Sequence, residues 1–257
     1  MLIDSHCHLD ADAFDANREA VIDRAREAGV RRQIVPATTA ARWPKLREVC
    51  ASSEQLFPAY GLHPMFLDEH HEDHLDALRS WLQRERPVAV GECGLDYFID
   101  DHDPAMQSLY FDAQLRLAIE FDLPVIVHAR RTVDAVIAAI RKAGKLRGVI
   151  HSFSGSRQQA EQLWEHGFLL GLGGPVTHER ASRLRELAAT MPLEYLLLET
   201  DAPDQPDAGI RGQRNEPARL NAVLETIAQL RDVDPAEVAA ATTVNAERLF
   251  GLPSIQM

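Results

Sequence analysis

The sequence predicts a (β/α)₈ TIM barrel, an α/β fold built as a single domain, with a C-terminal helical extension. Short runs of apolar, mostly β-branched residues alternate about eight times with amphipathic helical stretches. The runs show little alternation of polar and apolar positions, which is typical of parallel strands buried on both faces. The 257 residues divided among eight units give about 32 residues for each, the usual length of a strand–helix repeat. An open doubly wound sheet is the alternative architecture.

Eight strands are predicted from short runs rich in Val, Ile, Leu and Phe. In chain order they are 2–6 (LIDSH), 33–37 (QIVPA), 56–60 (LFPAY), 87–92 (PVAVGE), 123–128 (LPVIVH), 147–151 (RGVIH), 167–171 (GFLLG) and 194–200 (EYLLLET).

Each strand is followed by a stretch in which apolar residues recur at helical spacing. The predicted helices lie near 17–29, 41–51, 72–85, 104–121, 132–143, 156–166, 179–190 and 216–231, and the C-terminal extension is a helix near 235–250. Gly29, Gly144 and Gly167 stand at expected helix ends, because glycine adopts the left-handed backbone of a C-terminal cap at little cost.

The composition is that of a globular protein, with 46% apolar and 26% charged residues. No Pro-, Gly- or Ser-rich linker interrupts the chain, so one domain is expected to span residues 1–257. No apolar run approaches the ~18 residues that cross a bilayer, and the start MLID lacks a basic leader. Three cysteines without a Cys-x-x-Cys motif complete the prediction of a cytoplasmic protein with reduced thiols and no membrane contact.

The charge of the chain limits its partners. With 27 basic and 39 acidic residues, the net charge is −12, which opposes non-specific binding to DNA, RNA or anionic lipid. An aromatic content of 6% supplies little material for a platform on which single-stranded bases stack. Neither observation excludes a site that accepts phosphate, because bound divalent cations would reverse the local charge. No obligate protein partner is inferred.

A pair of histidines lies at the carboxyl end of the first predicted strand, where residues 3–8 read IDSHCH. Because strand side chains alternate, His6 and His8 point to one face and Cys7 points away. Two imidazoles on one face at the carboxyl end of a strand suit a borderline metal ion. The alternative is a pair of polar core residues, each of which would need a hydrogen-bond partner.

Four more potential ligands stand at the carboxyl ends of later predicted strands: Glu92, His128, His151 and Asp201. A single polar residue at a strand end is often only a cap for the next helix. Four histidines and two carboxylates at one mouth of a barrel are a stronger indication, since active sites of this fold lie at that mouth. The sequence therefore predicts a metal site formed by strands 1, 4, 5, 6 and 8.

Six ligands suit two divalent ions about 3.5–4 Å apart, bridged by a carboxylate and a hydroxide. Glu92 is the predicted bridge, because each of its two oxygens can bind one ion. Asp201 can bind one ion and also orient the attacking water, which makes it the predicted catalytic residue. Imidazole and carboxylate ligands admit Zn²⁺, Mn²⁺ or Fe²⁺, and Mg²⁺ less comfortably.

The chain resembles the TatD family of metal-dependent hydrolases, within the amidohydrolase superfamily of barrels. The matching motifs are DSHCH (4–8), GLHP (61–64), GECGLDY (91–97), PVIVHAR (124–130), HSFSG (151–155), ETDAP (199–203), RNEP (214–217) and NAERLF (245–250). They extend over essentially the whole sequence.

The resemblance implies the same ligand set, His6, His8, Glu92, His128, His151 and Asp201, and a metal-dependent deoxyribonuclease with 3′-to-5′ exonuclease activity. Superfamily members with a carbamylated lysine use it where this chain has Glu92, which disfavours a deaminase or dihydroorotase-like activity. Two positions depart from the family pattern. Ser152 replaces a frequent cysteine, an exchange expected to be silent. Asp204 replaces an aromatic residue of many nuclease members, which removes a stacking partner for a base.

Two residues are candidates for contacts with substrate. His63, before Pro64, is expected either to donate to a substrate phosphate or only to cap a loop. Arg130, just past His128, either pairs with a phosphate oxygen or forms an ion pair on a helix surface.

The function predicted from all these residues is hydrolysis of a phosphate ester by a metal-bridging hydroxide. The resemblance implies a DNA 3′ end as its substrate. The alternative is a metal-dependent hydrolase of a small phosphate ester, a carboxylic ester or a lactone, and a non-catalytic binding protein on the same barrel is a third possibility.

Overall fold

The computed structural model describes residues 1–100 and 103–253 of the chain. They form one sheet of eight parallel strands in the order β1-β2-β3-β4-β5-β6-β7-β8, with helices between successive strands. This arrangement confirms the predicted TIM barrel and excludes the open doubly wound sheet, whose strand order reverses at its centre. Residues 101–102 and 254–257, part of the predicted domain 1–257, lie outside the described residues.

The strands are β1 (Leu2–Asp4), β2 (Val30–Pro36), β3 (Leu56–Tyr60), β4 (Ala89–Asp96), β5 (Val125–Arg130), β6 (Gly148–Ile150), β7 (Phe168–Leu172) and β8 (Leu196–Leu198). The α-helices are α1 (Arg18–Glu27), α2 (Trp43–Ala51), α3 (Asp73–Glu85), α4 (Pro104–Glu120), α5 (Val133–Ala143), α6 (Arg157–Glu165), α7 (Ser182–Thr190), α8 (Leu220–Arg231) and α9 (Pro235–Phe250).

The helix predictions are confirmed to within a few residues at each end. Three glycines lie where helix ends were predicted. Gly144 caps α5 with a φ of 91°, while Gly29 and Gly167 follow the caps of α1 and α6 with φ values of 83° and 76°.

The barrel closes through contacts between its first and last strands. The backbone N–H of Ser5 donates to the carbonyl oxygen of Leu198 at 3.0 Å. The buried Asp4 carboxylate accepts from the Thr200 hydroxyl at 2.6 Å and from the Thr200 N–H at 3.0 Å. Beyond Asp4 the backbone bonds on both sides, from Cys7 N–H to the Ile34 carbonyl at 3.1 Å and from His8 N–H to the Ala202 carbonyl at 2.7 Å, and β1 ends two residues earlier than predicted. These bonds place the chain after β1 beside the chain after β8.

The strands β4 and β5 differ from their predicted bounds, 87–92 and 123–128. Pairing between them is irregular between Val90 and Cys93 and then continues until Asp96 faces Arg130. A bulge of this kind inserts an extra residue into one strand and changes the direction of a side chain. Here the strand continues past the bulge and past Glu92, where its end was predicted. Glu92 therefore lies within β4, at the bulge, rather than at the end of the strand.

The interior of the barrel holds one apolar residue from each strand. These residues form a buried cluster with the end of α9 and the segment directly after it: Ile3, Ile34, Ala59, Ala89, Ile126, Val149, Leu169 and Leu197 pack with Ala246, Leu249, Phe250 and Leu252. The Asn245 side chain of α9 donates to the carbonyl oxygen of Leu196, at the start of β8, at 3.0 Å. The helix α9 therefore covers the amino-terminal end of the barrel and leaves the opposite mouth for a site.

Replacing Phe250 with alanine is expected to lower the free energy of unfolding by about 3–5 kcal/mol, because the ring fills the base of the barrel. Phe250 is 4% exposed and packs in the interior cluster. Val244 of the same helix is 59% exposed, so Val244→Ala is the matched control. Urea unfolding followed by circular dichroism measures both changes. Equal changes in the two variants would contradict the role assigned to α9.

No helix in the described part of the chain has the length and apolar character needed to cross a bilayer.

Candidate metal centre

The six predicted ligands meet at the carboxyl-terminal mouth of the barrel. His6 and His8 follow β1, Glu92 lies in β4, His128 in β5, His151 directly after β6, and Asp201 three residues after β8. Close contacts connect all six, either directly or through Glu92. The side chains lie in two groups, one against each oxygen of Glu92.

The first group has four donor atoms. His6 Nε2 lies 3.2 Å from His8 Nε2, 3.2 Å from Glu92 Oε2 and 3.5 Å from Asp201 Oδ1. His8 Nε2 lies 3.6 Å from each of the same two carboxylate oxygens. Tetrahedral zinc with bonds of about 2.0–2.1 Å would hold its ligand atoms about 3.3 Å apart. The spacing of this group therefore suits one ion among the four atoms.

The second group is built on the other oxygen of Glu92. His151 Nε2 lies 2.8 Å and His128 Nδ1 3.1 Å from Glu92 Oε1. The two histidine nitrogens are 3.2 Å apart. Glu92 therefore stands between the two groups and presents Oε2 to one and Oε1 to the other.

The electrostatics of Glu92 fit a bound cation. Its side chain is 1% exposed, and Oε2 accepts no hydrogen bond among the described residues. Burial by itself would raise the pKa of Glu92, but the surrounding imidazoles, His151 foremost, hold it well below the usual range. Burial lowers the pKa of His6 well below its usual value, which keeps the imidazole neutral. A charged oxygen without a donor beside a neutral imidazole is the chemistry of metal ligands.

Two of the ligand imidazoles are oriented by acceptors on their far nitrogens. His8 Nδ1 donates to the carbonyl oxygen of Pro36 at 3.2 Å. His128 Nε2 donates to Asp96 Oδ2 at 2.8 Å. These bonds leave His8 Nε2 and His128 Nδ1 with lone pairs aimed into the site. Such outer contacts fix the tautomer and raise the basicity of a ligand histidine.

Asp96 is a functional residue that the sequence reasoning missed, although it lies in the GECGLDY motif. Its signal is the period of two in a strand, which puts residue 96 on the same face as residue 92 if β4 continues that far. Replacing Asp96 with asparagine keeps the shape and removes the charge, so metal affinity should fall about tenfold or more. Isothermal titration of the metal-free protein measures this. Asp112→Asn, which neutralises a partly buried carboxylate of α4 that is paired with Lys142, is the control.

Glu199 is the second missed carboxylate. It is buried, accepts from the backbone N–H of Ser152 and lies 3.7 Å from His151 Nδ1. Glycine at position 171 provides the space that Glu199 occupies, because a Cβ there would lie 2.0 Å from Glu199 Oε2. The sequence showed Glu199 beside Asp201 but gave no sign that Gly171, on β7, would be its neighbour.

Asp201 is held by its surroundings in an unusual backbone conformation. Its φ is 56°, in the left-handed region, and its N–H donates to the carbonyl oxygen of His6 at 2.9 Å. Gln205 donates to Asp201 Oδ2 and accepts from the Ser152 hydroxyl at 2.8 Å. The Asn215 side chain donates to the carbonyl oxygen of Thr200 at 2.9 Å. Strained backbone of this kind is frequent at active sites.

Burial raises the pKa of Asp201 to about 6. Since its Oδ2 is occupied by Gln205, the side chain presents Oδ1 to His6 and His8.

His63 caps a loop, as one of its two predicted roles requires, and also contacts Glu92. The backbone N–H of Met65 donates to His63 Nδ1 at 3.1 Å, which caps the turn that follows. The proton of the neutral ring therefore lies on Nε2, which donates to Glu92 Oε1 at 2.8 Å. Burial lowers the pKa of His63 to about 4, so the ring is neutral at pH 7. His63 thus brings a neutral N–H donor to the metal centre.

The mouth of the barrel opens into a cavity of about 1380 Å³. Besides the ligands, its walls contain carboxylates, cations and two aromatic rings: Asp10, Asp12, Glu69, Asp204, Arg42, Lys45, Arg130, Phe66 and Phe153. Arg42 and Lys45 bind Asp12 at 2.8 and 2.7 Å, so their charges are compensated. Arg130 lies on β5 and has no ion pair with a described residue; its guanidinium covers the ring of Phe98.

Comparisons with known proteins agree with this geometry. The family model described as TatD related DNase matches residues 3–251. The uncharacterized metal-dependent hydrolase YjjV of Escherichia coli is 42% identical over 98% of both chains, and the 3′-5′ ssDNA/RNA exonuclease TatD of Erwinia tasmaniensis is 35% identical over 98% of this chain and 100% of its own.

The crystal structure of YjjV, described as a TatD homolog, superposes with a TM-score of 0.94 at 41% identity over 98% of both chains. A whole-chain family match and relatives of this identity establish descent from one family. This chain belongs to the TatD related DNase family and is an enzyme of its metal-dependent hydrolase type.

Proposed function

We propose that this enzyme hydrolyses phosphodiester bonds at the 3′ end of single-stranded DNA, as a 3′-to-5′ exonuclease that uses two divalent ions. The observation that carries the proposal is the division of Glu92 between two donor groups, one on each carboxylate oxygen. Paired metal sites are characteristic of nucleases and phosphatases, in which an attacking and a leaving oxygen must both be stabilised.

His6, His8, Asp201 and one oxygen of Glu92 would hold the first ion. His128, His151 and the other oxygen of Glu92 would hold the second. The ions, which can be Zn²⁺, Mn²⁺, Fe²⁺ or Mg²⁺, would supply Lewis acidity toward the phosphoryl oxygen and make water a stronger acid.

The protein residues supply positioning and proton transfer. Asp201, which presents Oδ1 toward His6 and His8, accepts a proton from the attacking water. The His63 Nε2–H donates to Glu92 Oε1, and the same N–H would serve the phosphoryl group, where negative charge develops, when Glu92 holds an ion. Arg130, without a carboxylate partner among the described residues, binds a phosphate oxygen of the substrate.

The comparisons support a nucleic-acid substrate, because relatives at 34–35% identity carry the name 3′-5′ ssDNA/RNA exonuclease TatD. A second candidate, hydrolysis of a small phosphate ester, is favoured by the acidic walls of the cavity. Asp10, Glu69 and Asp204 line it, and they repel a polyanion more strongly than a compact substrate.

An assay of the purified protein separates the two candidates. Metal-loaded enzyme is incubated with single-stranded DNA labelled at the 5′ end, with the same DNA blocked at its 3′ end, and with p-nitrophenyl phosphate. The proposal predicts a ladder that shortens from the 3′ end, no shortening of the blocked strand, and loss of the activity with a chelator. Turnover of p-nitrophenyl phosphate with intact DNA would overturn the exonuclease in favour of the small ester.

A further inference from the structure

An exposed aromatic ring at the end of β4 is covered by two arginines. Phe98 is 45% exposed, and its ring centroid lies 3.6 Å from Cζ of Arg130 and 4.5 Å from Cζ of Arg131. Guanidinium groups stack on aromatic faces, and stacking fixes their planes while leaving the N–H groups at the edges free. The ring therefore holds two planar cations in place beside the cavity.

The two arginines are consecutive, yet both reach one ring. In a regular strand the side chains of residues 130 and 131 would point to opposite faces. Arg131 has a φ of 59°, in the left-handed region, which breaks the alternation directly after β5. A non-glycine residue is held in that region only where its surroundings enforce it, and such residues are concentrated at functional sites.

The guanidinium groups of this pair form no ion pair and no side-chain hydrogen bond within the described part of the protein. The backbone carbonyl of Arg130 accepts from the Tyr97 N–H at 3.0 Å, and the charge of Arg130 acts on Asp96 without a salt bridge. The other cations that line the cavity, Arg42 and Lys45, bind Asp12 instead. Acidic residues outnumber basic ones by 39 to 27, so partners for a cation are plentiful in this chain. Two adjacent guanidiniums that take none of them are placed to receive an anion from outside.

We propose that Phe98, Arg130 and Arg131 form a subsite for a second phosphate of the substrate, on the 5′ side of the bond that is cleaved. Arg130 lines the cavity and lies two residues after His128 on the same strand, so the subsite adjoins the metal centre. Planar guanidiniums bind phosphate through two parallel N–H donors. The proposal rests on the exonuclease function and narrows its substrate to chains with at least two phosphates.

Three thymidine substrates test the subsite: the dinucleotide TpT, the same dinucleotide with a 5′-phosphate (pTpT), and the trinucleotide TpTpT. TpT carries only the bond to be cleaved, and the other two add one phosphate on its 5′ side. For the wild type we expect kcat/KM to be about tenfold higher for pTpT and TpTpT than for TpT, through a lower KM. Arg131→Ala and Phe98→Ala should reduce this ratio toward one, and Arg131→Lys should keep part of it.

Arg141→Ala is the matched control, since Arg141 is an exposed arginine of the neighbouring helix α5 and should leave the ratio unchanged. A ratio near one in the wild type, or equal ratios in wild type and Arg131→Ala, would overturn the subsite. A gain with pTpT but none with TpTpT would also overturn it, because the site would then accept only a terminal phosphate.

A binding measurement keeps this test independent of the proposed activity. Fluorescence anisotropy of labelled oligothymidylate is recorded with metal-free protein in a chelator at several salt concentrations. Arg131→Ala should lower the slope of log Kd against log salt by about 0.7, the value for one phosphate contact on a single strand. If no substrate in the series is cleaved, the exonuclease fails, while an altered slope still supports the subsite and an unchanged slope contradicts it.

Discussion

Replacing Glu92 with glutamine is expected to abolish hydrolysis, with a loss of about 10³-fold or more in kcat/KM. Glu92 contacts both donor groups, so its neutralisation weakens both metal positions at once. Metal ions contribute several kcal/mol to the stabilisation of a phosphoryl transition state, and about 1.4 kcal/mol corresponds to a factor of ten in rate. Glutamine has the same shape, so the effect is one of charge and ligation.

The measurement for Glu92→Gln combines steady-state kinetics on labelled single-stranded DNA with metal analysis after dialysis. We expect less than one ion per chain in the variant under conditions that load the wild type. Glu225→Gln on α8, far along the chain from the ligands, is the charge-matched control. Wild-type metal content together with wild-type activity in Glu92→Gln would contradict the bridging role.

Replacing Asp201 with asparagine is expected to lower kcat by about 10²–10⁴-fold, the range for removal of a general base, with a much smaller effect on KM. The amide keeps an oxygen toward His6 and His8 but cannot accept a proton from water. Single-turnover kinetics separates this loss from any change in DNA binding. The neighbouring Asp204→Asn removes a charge from the cavity wall and serves as the control.

An increase in KM with unchanged kcat in Asp201→Asn would assign this residue to binding rather than to proton transfer. An equal loss of kcat in Asp204→Asn would show that the effect comes from the negative charge of the cavity walls and not from proton transfer by the Asp201 carboxylate.

The barrel and the meeting of the six predicted ligands at one mouth were predictable from the sequence for one reason. Each ligand follows or ends a short apolar run, and the carboxyl ends of parallel strands must meet at one mouth. His6 and His8 could be placed on one side by alternation alone, and the structure has their Nε2 atoms 3.2 Å apart.

Features that depend on local irregularity could not be predicted in this way. The bulge beside Gly91 extends β4 and carries Asp96 to His128, but periodicity ends the strand at Glu92. The contact between Gly171 and Glu199 joins neighbouring strands, and no pattern within either strand marks it. The left-handed backbone of Arg131 is likewise set by its surroundings and not by the residue itself. The sequence pattern of one strand predicts the face to which each side chain points. Contacts between residues of different elements, such as Asp96 with His128, are seen only in the folded structure.

Anomalous diffraction from a crystal of the metal-loaded protein, recorded at the absorption edge of the added metal, tests the central claim most directly. The account predicts two anomalous peaks, one against Oε2 of Glu92 among His6, His8 and Asp201, and one against Oε1 beside His128 and His151. A single peak at saturating metal, or peaks that do not contact Glu92, would contradict it.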